Sequence, residues 1–240
     1  MSVIPRRETN AGNTTQQTEI SLVFGKDSVK VGNCTTRNIT QKIIENQFIN
    51  PRSEIYFIHI FNINIDCWES IYQIPLRATI DTKLREFQFK ILHNIVITNS
   101  KLFKMTPPKV GSAKCTFCES EEETMLHLFC RCHYVDLFWE GLFMLWGGKV
   151  GLLNRLQTWQ IILGDESLSC LVNFLILLAK RYIYISRCKK VKPDFLAFKR
   201  YVKTFEKTEF LIAERKNKLK SYCKKWRKYK ENIQDTSELT

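Results

Sequence analysis

KCTFCESEEETMLHLFCRC, residues 114–132, spaces its ligand-type residues as Cys115-x2-Cys118-x8-His127-x4-Cys132. Two cysteines separated by two residues point both sulfurs at one ion from a tight turn. A histidine and a cysteine from the next element then complete a tetrahedron of soft and borderline donors, which suits Zn2+. The glutamates at 121–123 favour the start of a helix carrying His127, because carboxylates complement the positive end of a helix dipole. Four protein ligands leave no open position for water, so such a site is structural rather than hydrolytic. Cys130 and His133 flank the fourth position, and spacing alone leaves either as a substitute for Cys132.

Working outward, the periodicity is helical. Asp81 is a good N-cap, and Leu84, Phe87, Ile91, Leu92 and Ile95 follow at helical spacing. That helix is expected to end near Asn99, which would cap a short helix through Leu102 and Phe103. Pro107-Pro108 then breaks the chain. Beyond the cysteines, Val135, Phe138, Trp139 and Leu142 form a second stripe, and Gly147-Gly148 marks a loop. A long helix is predicted from about Glu166 to Lys190, and Pro193 fits the start of a final basic helix. On the N-terminal side, a short helix is predicted over Thr36 to Phe48. Ile55 to Ile65 is compatible with a strand or a helix.

The charge is as uneven as the cysteines. The chain carries a formal +13, yet residues 180–230 alone hold 19 Lys and Arg against 4 Asp and Glu. A basic arm on a near-neutral body points to a polyanionic partner. Aromatics interleave the charges: Tyr182, Tyr184, Phe198, Tyr201, Phe205, Tyr222, Trp226 and Tyr229. Two readings follow. Exposed rings stack unpaired bases, whereas a helical face of Tyr222, Trp226 and Tyr229 packs on the body. The cations nominated for phosphate contact are Lys180, Arg181, Arg187, Lys189, Lys190, Lys224, Lys225, Arg227 and Lys228. Single-stranded or structured RNA suits this combination better than base-specific duplex readout.

Other classes fit poorly. The N-terminus lacks the apolar stretch of a signal peptide, and the run Leu168 to Ala179 is too short to span a bilayer. An intracellular, reducing compartment is expected, where clustered cysteines mean metal rather than disulfides. Asp165-Glu166 is the only adjacent acidic pair outside the 121–123 run, and capping before a helix explains it. No small-molecule substrate site is indicated.

Beyond the bare spacing, DTKLREFQFKILHNIVITN (81–99), KCTFCESEEETMLHLFCRC (114–132) and DLFWEGL (136–142) occur in one order. Together they resemble the zinc-binding segment downstream of the polymerase in non-LTR (long interspersed element type) retrotransposon reverse transcriptases. ILLAKRYIYISRCKKVKPDFLAFK at 176–199 resembles the extreme C-terminus of such polyproteins, and Trp68 to Ile74 matches more weakly. In that family two residues separate His-Leu-Phe from the fourth ligand, which selects Cys132. The polymerase's aromatic-x-Asp-Asp motif has no counterpart, because no Asp-Asp pair occurs. Nor is there an apurinic-type endonuclease. The resemblance implies an accessory piece, separately encoded or truncated, rather than an enzyme.

The expected fold is mostly α, a small helical domain with a CCHC zinc knuckle followed by long basic C-terminal helices. The expected divisions are a disordered 1–17, a helical or irregular segment at 18–79, a zinc-binding domain at 80–147, a loop at 148–165, a basic helical region at 166–230 and a disordered tail at 231–240. The expected function is zinc-dependent binding of RNA or of single-stranded or target DNA, with a polymerase supplied separately and no membrane role. The alternative is a structural remnant of a retroelement polyprotein without independent activity.

Overall fold

A computed structural model of the chain describes residues 20–24, 27–47, 51–63, 68–144 and 155–233. The expectations for 1–17, for Gly147-Gly148 and for 234–240 lie outside the described residues. The described chain is mostly helical, as its periodicity predicts.

Two units separate between Pro51 and Arg52. In the first, strands β1 (Ser21–Phe24) and β2 (Asp27–Lys30) form an antiparallel hairpin, a 3-10 turn follows at Val31–Asn33, and helix α1 covers Thr36–Gln47. The expected helix is present, but the hairpin is an addition to a segment read as helical or irregular.

The second unit holds α2 (Arg52–Phe61), α3 (Trp68–Ala78), α4 (Thr82–Leu92) and α5 (Asn99–Phe103) before the cysteine segment. After it come α6 (His133–Leu142), α7 (Thr158–Leu163), α8 (Cys170–Cys188), α9 (Phe195–Arg215) and α10 (Leu219–Ile233). The ambiguous Ile55 to Ile65 stretch is thus helical through Phe61. Asp81 caps α4 as predicted, its carboxylate accepting from the backbone N–H groups of Lys83 at 2.7 Å and Leu84 at 3.1 Å.

Two predicted boundaries move for one physical reason. The helix expected to reach Asn99 stops at Leu92, because Asn94 enters the left-handed region (φ +51) and the Ile95 N–H closes back on the Lys90 carbonyl. Asparagine tolerates that conformation, and the six-residue closure is a common helix stop. Thr98, not Asn99, then caps α5, and Asn99 is its first residue. The single basic helix after Pro193 is likewise two. Asn217 (φ +52) and the Lys218 N–H bonded to the Ala213 carbonyl end α9, and the chain folds back as α10. Asp194 caps α9, so Pro193 sits just outside it.

At the centre lies α8, capped by Ser169, with every residue from Leu171 to Lys180 buried. A helix apolar all round must be surrounded, and α3, α4, α9 and α10 pack against it. The turn at His127–Arg131 in the cysteine segment also packs against this helix. Asn173, on the α8 face toward the α7 loop, donates to the Asp165 and Leu168 carbonyls and accepts from the Asp165 N–H, so its amide is satisfied.

Candidate metal centre and basic surface

A short antiparallel bridge between Lys114 and Glu122 closes the cysteine loop, with the Cys115 N–H donating to the Glu121 carbonyl at 2.8 Å. This turn presents Cys115 and Cys118. A helical stretch then begins after Thr124, whose hydroxyl accepts from the His127 N–H at 3.1 Å. It widens at once: the Cys132 N–H bonds the His127 carbonyl five residues back, at 2.9 Å. In a regular α-helix residues five apart diverge, but a π-type turn brings them closer to one side. The widened turn therefore places His127 and Cys132 over the same point, and Cys132 becomes the residue that opens α6.

The four candidate donor atoms of Cys115, Cys118, His127 and Cys132 all lie within 4.8 Å of one another. Cys115 and Cys132 sulfurs are 3.9 Å apart, and Cys118 Sγ is 3.4 Å from His127 Nε2. A tetrahedral zinc with Zn–S of about 2.3 Å and Zn–N of about 2.0 Å sets its ligand atoms roughly 3.5–3.8 Å apart. The two separations match opposite edges of that tetrahedron, so the donor set fits the ion. His127 Nδ1 is buried without a hydrogen bond. The Glu121 carboxylate, 3.3 Å away but poorly aligned, is the group in reach of its proton once Nε2 is engaged.

The electrostatics agree. Donation to Cys132, reinforced by burial, pushes the Cys115 thiol far up, while acceptance from Cys115 holds Cys132 below its ordinary value despite burial. Cys118 is also held down: burial opposes this, and the backbone N–H groups of Glu121 and Ser120, the Ser120 hydroxyl and the His127 ring outweigh it. Burial opposes protonation of His127, but the Cys118 and Cys115 thiols raise it. Two sulfurs held toward the thiolate, Cys118 and Cys132, give the pocket the negative character that a positive centre requires. Neither alternative fourth residue joins them. Cys130 packs toward the core, its thiol pushed up to about 12 by burial, and His133 is exposed against the Tyr134 ring.

The glutamates act differently from the expected helix-dipole role. Glu121 faces His127, whereas Glu122 takes the Ser100 hydroxyl and pairs with Lys104 at 2.9 Å. Glu123 is fully buried. It accepts from the Asn99 N–H at 2.8 Å, from the Thr116 N–H and hydroxyl at 2.9 Å each, and from the Arg187 guanidinium at 2.9 Å. Arg187 also donates to Asn99 Oδ1 at 2.7 Å. This network ties the metal loop to α5 and α8. Sequence reasoning missed it, because the two charges stand 64 residues apart and Glu123 looks like one of three equal carboxylates.

The nominated basic residues divide sharply. Lys180 is completely buried, its ammonium donating to Gln88 Oε1 at 2.6 Å and to the Ile162 carbonyl at 2.8 Å. Arg187 is spent on Glu123, and Lys225 is held by both Glu209 oxygens and the Ala78 carbonyl at 2.8 Å each. The phosphate-contact assignment of these three is therefore corrected: the fold uses their charges internally. Arg181 is half-buried over the Phe87 ring. Lys189, Lys190, Lys224 and Arg227 are exposed, while the Lys228 side chain lies outside the described residues. The aromatics resolve in favour of packing. Phe198, Tyr222, Trp226 and Tyr229 are buried, and Tyr182, Tyr184, Tyr201 and Phe205 pack on the core from its edge.

The remaining carboxylates of this region are turned to structural use. Asp194 caps α9, Glu206 accepts from the Tyr222 hydroxyl, and Glu209 takes Lys225 and, at 2.7 Å, the Trp226 indole N–H. Exposed cations outnumber exposed carboxylates heavily as a result: Lys192, Arg200, Lys203, Lys207, Arg215, Lys216, Lys218 and Lys220 are all at the surface, where Glu214 is the acidic residue beside them. No described helix is long and apolar enough to cross a membrane.

No curated protein matches the chain. Residues 53–139, a stretch from α2 into α6 that contains all four residues of the cluster, match the family model described as zinc-binding in reverse transcriptase.

Proposed function

We propose that the chain is a nucleic-acid-binding module in which zinc held by Cys115, Cys118, His127 and Cys132 fixes the junction between the metal loop and α6. When bound, the ion supplies a cross-link with a closed ligand shell, and the ligands hold it without leaving a position for a reacting water. The observation that carries nucleic-acid binding is the sorting of charge over residues 180–230. Three of four carboxylates serve the fold, and most of the cations stand outside. A surface of that kind repels itself and gains from a polyanion that releases its counterions on binding. Because the rings are packed, the affinity comes from phosphate contact rather than from base stacking. RNA or single-stranded DNA of a retroelement, alongside a polymerase supplied by another chain, is the partner that the family match favours.

The test is zinc content and RNA affinity on one sample of the full chain across a salt series. About one zinc per chain is expected, with affinity falling at least tenfold between about 50 and 200 mM salt. Lys189→Glu/Lys190→Glu/Lys203→Glu is expected to weaken binding without loss of zinc. Salt-independent binding, or none, would leave a structural remnant as the better description.

A further inference from the structure

A sizeable cavity lies away from the metal centre. It has a volume of about 490 Å³ and opens between the α3–α4 turn, the first turn of α8 and the α9–α10 hairpin. Its walls have two chemistries. Buried Ala78, Leu171 and Ala213 make an apolar floor, with the exposed Leu76 at its edge. Around it stand Arg77, Lys216, Lys218, Lys224 and Arg227, all exposed, with Lys225 deeper down. One carboxylate, Glu209, lines the same space, and Lys225 and Trp226 already engage it. Ser169 and Cys170 bring the N-terminal end of the 19-residue α8 to the cavity, which adds the positive end of its dipole.

So many cations around a hollow repel one another unless an anion enters. A bare phosphate would use the rim and leave the apolar floor wet. A nucleotide uses both, its base lying on the floor and its phosphates reaching the rim. The volume falls within the roughly 300–1,000 Å³ of small-ligand sites and excludes a duplex. Lys216 and Lys218 lie in the turn between α9 and α10, and Lys224 and Arg227 on α10, so a strand on the exposed basic surface reaches the cavity along a line of cations.

We infer that this cavity receives one unpaired nucleotide of a strand bound to the basic helices, an inference that rests on the nucleic-acid reading above and adds to it a place and a preference for unpaired positions. Cys170 reports on it directly. Its exposed thiol lines the cavity, and Cys34, a half-buried thiol of the first unit outside the basic helices, serves as an internal reference.

The experiment is maleimide labelling of the zinc-loaded full chain, read residue by residue by mass spectrometry, with RNA affinity measured in parallel. A single-stranded 20-mer at saturation is expected to slow Cys170 labelling at least fivefold and to leave Cys34 unchanged, while a blunt duplex at equal occupancy protects Cys170 less than twofold. Lys216→Glu/Lys218→Glu is expected to retain zinc, to lose about tenfold in affinity for the single strand and to lose the protection. Strand binding with Cys170 still labelled at the free rate overturns the cavity assignment and leaves the nucleic-acid reading intact. Absence of any strand binding overturns both. Equal protection by the duplex overturns the preference for unpaired positions. Protection by free adenosine monophosphate at the strand's concentration, or by anionic phosphatidylserine vesicles, overturns the assignment to a strand.

Discussion

The metal loop and the basic helices are both dense in a single chemistry, yet the fold treats them in opposite ways. In the loop, residues alike in type end together: four donor atoms within 4.8 Å, assembled by one turn and one widened helical turn. In the basic helices, residues alike in type are separated. Lys180 and Lys225 go inside and Lys189 and Lys224 stay outside, although all are lysines in one charge-rich run. A metal site is decided by spacing over a few residues, whereas the task of a lysine is decided by what packs on its helix from elsewhere in the chain. The comparison breaks if loop and helices respond alike to substitution.

The largest effect is expected in the loop. Cys115→Ser/Cys118→Ser should abolish zinc binding and unfold residues 114–142, since apparent zinc free energies of small structural sites reach about 10–16 kcal/mol near neutral pH. Circular dichroism and metal analysis would check it. A variant that keeps native helicity and melts with the wild type would show that the metal is ornamental to the fold. Chelation of wild-type protein should reproduce the variant.

Next is the network that joins the two regions. Glu123→Ala leaves Arg187 largely buried without its carboxylate and orphans the N–H groups of Asn99 and Thr116. Breaking a buried pair from one side costs about 3–5 kcal/mol. Chemical denaturation of the zinc-loaded protein measures it, and a loss below about 1 kcal/mol would mean that the loop is held by its metal alone.

The same contrast explains what was legible beforehand. The cluster, the cap at Asp81 and the stripe of Val135, Phe138, Trp139 and Leu142 are local patterns, readable because both signal and partner lie within a few residues. The choice of Cys132 over Cys130 follows structurally from the π-type turn, whereas the resemblance supplied it in advance. What stayed hidden depends on distant partners. Arg187 needs Glu123, Lys225 needs Glu209 and the Ala78 carbonyl, and Lys180 needs Gln88, 92 residues away. Helix ends at Asn94 and Asn217 were missed because a left-handed asparagine is a permitted conformation rather than a compulsory one.

Lys180 sharpens the comparison through pH. Burial pushes its ammonium down to about 7, only partly offset by the nearby Cys130 thiol. In the unfolded chain a lysine titrates near 10.4. Between these values the unfolded state holds a proton that the folded state has released, so this group makes stability rise with pH from about 7 toward 10.4. Below 7 both states are charged, and the cost of burying the charge is fully present. Relative to Lys180→Met, wild type should therefore gain about 2 kcal/mol between pH 7 and 9. Comparing the two proteins at each pH cancels the titration of the zinc ligands. A difference that stays flat would mean that Lys180 remains charged inside, supported by Gln88 and the Ile162 carbonyl.

The smallest and most discriminating pair is Lys224 and Lys225, neighbours in sequence with opposite surroundings. Lys225 lies over the Phe174 ring at 3.8 Å and bridges Glu209 to Ala78, with 13% of its side chain exposed. Removing it leaves Glu209 with the Trp226 N–H alone from this group, and Lys225→Ala should cost about 2 kcal/mol. Lys224 is exposed at the rim of the cavity, and Lys224→Ala should leave stability within about 0.5 kcal/mol. Its effect belongs to binding: one lost phosphate contact lowers the slope of log affinity against log salt by about 0.7–0.9. Thermal melts and a salt titration on both variants measure the two quantities. If Lys224→Ala changes neither, its charge is idle on the surface. If Lys225→Ala shifts the salt slope at unchanged stability, burial is a poor guide to which cations of this segment meet a polyanion.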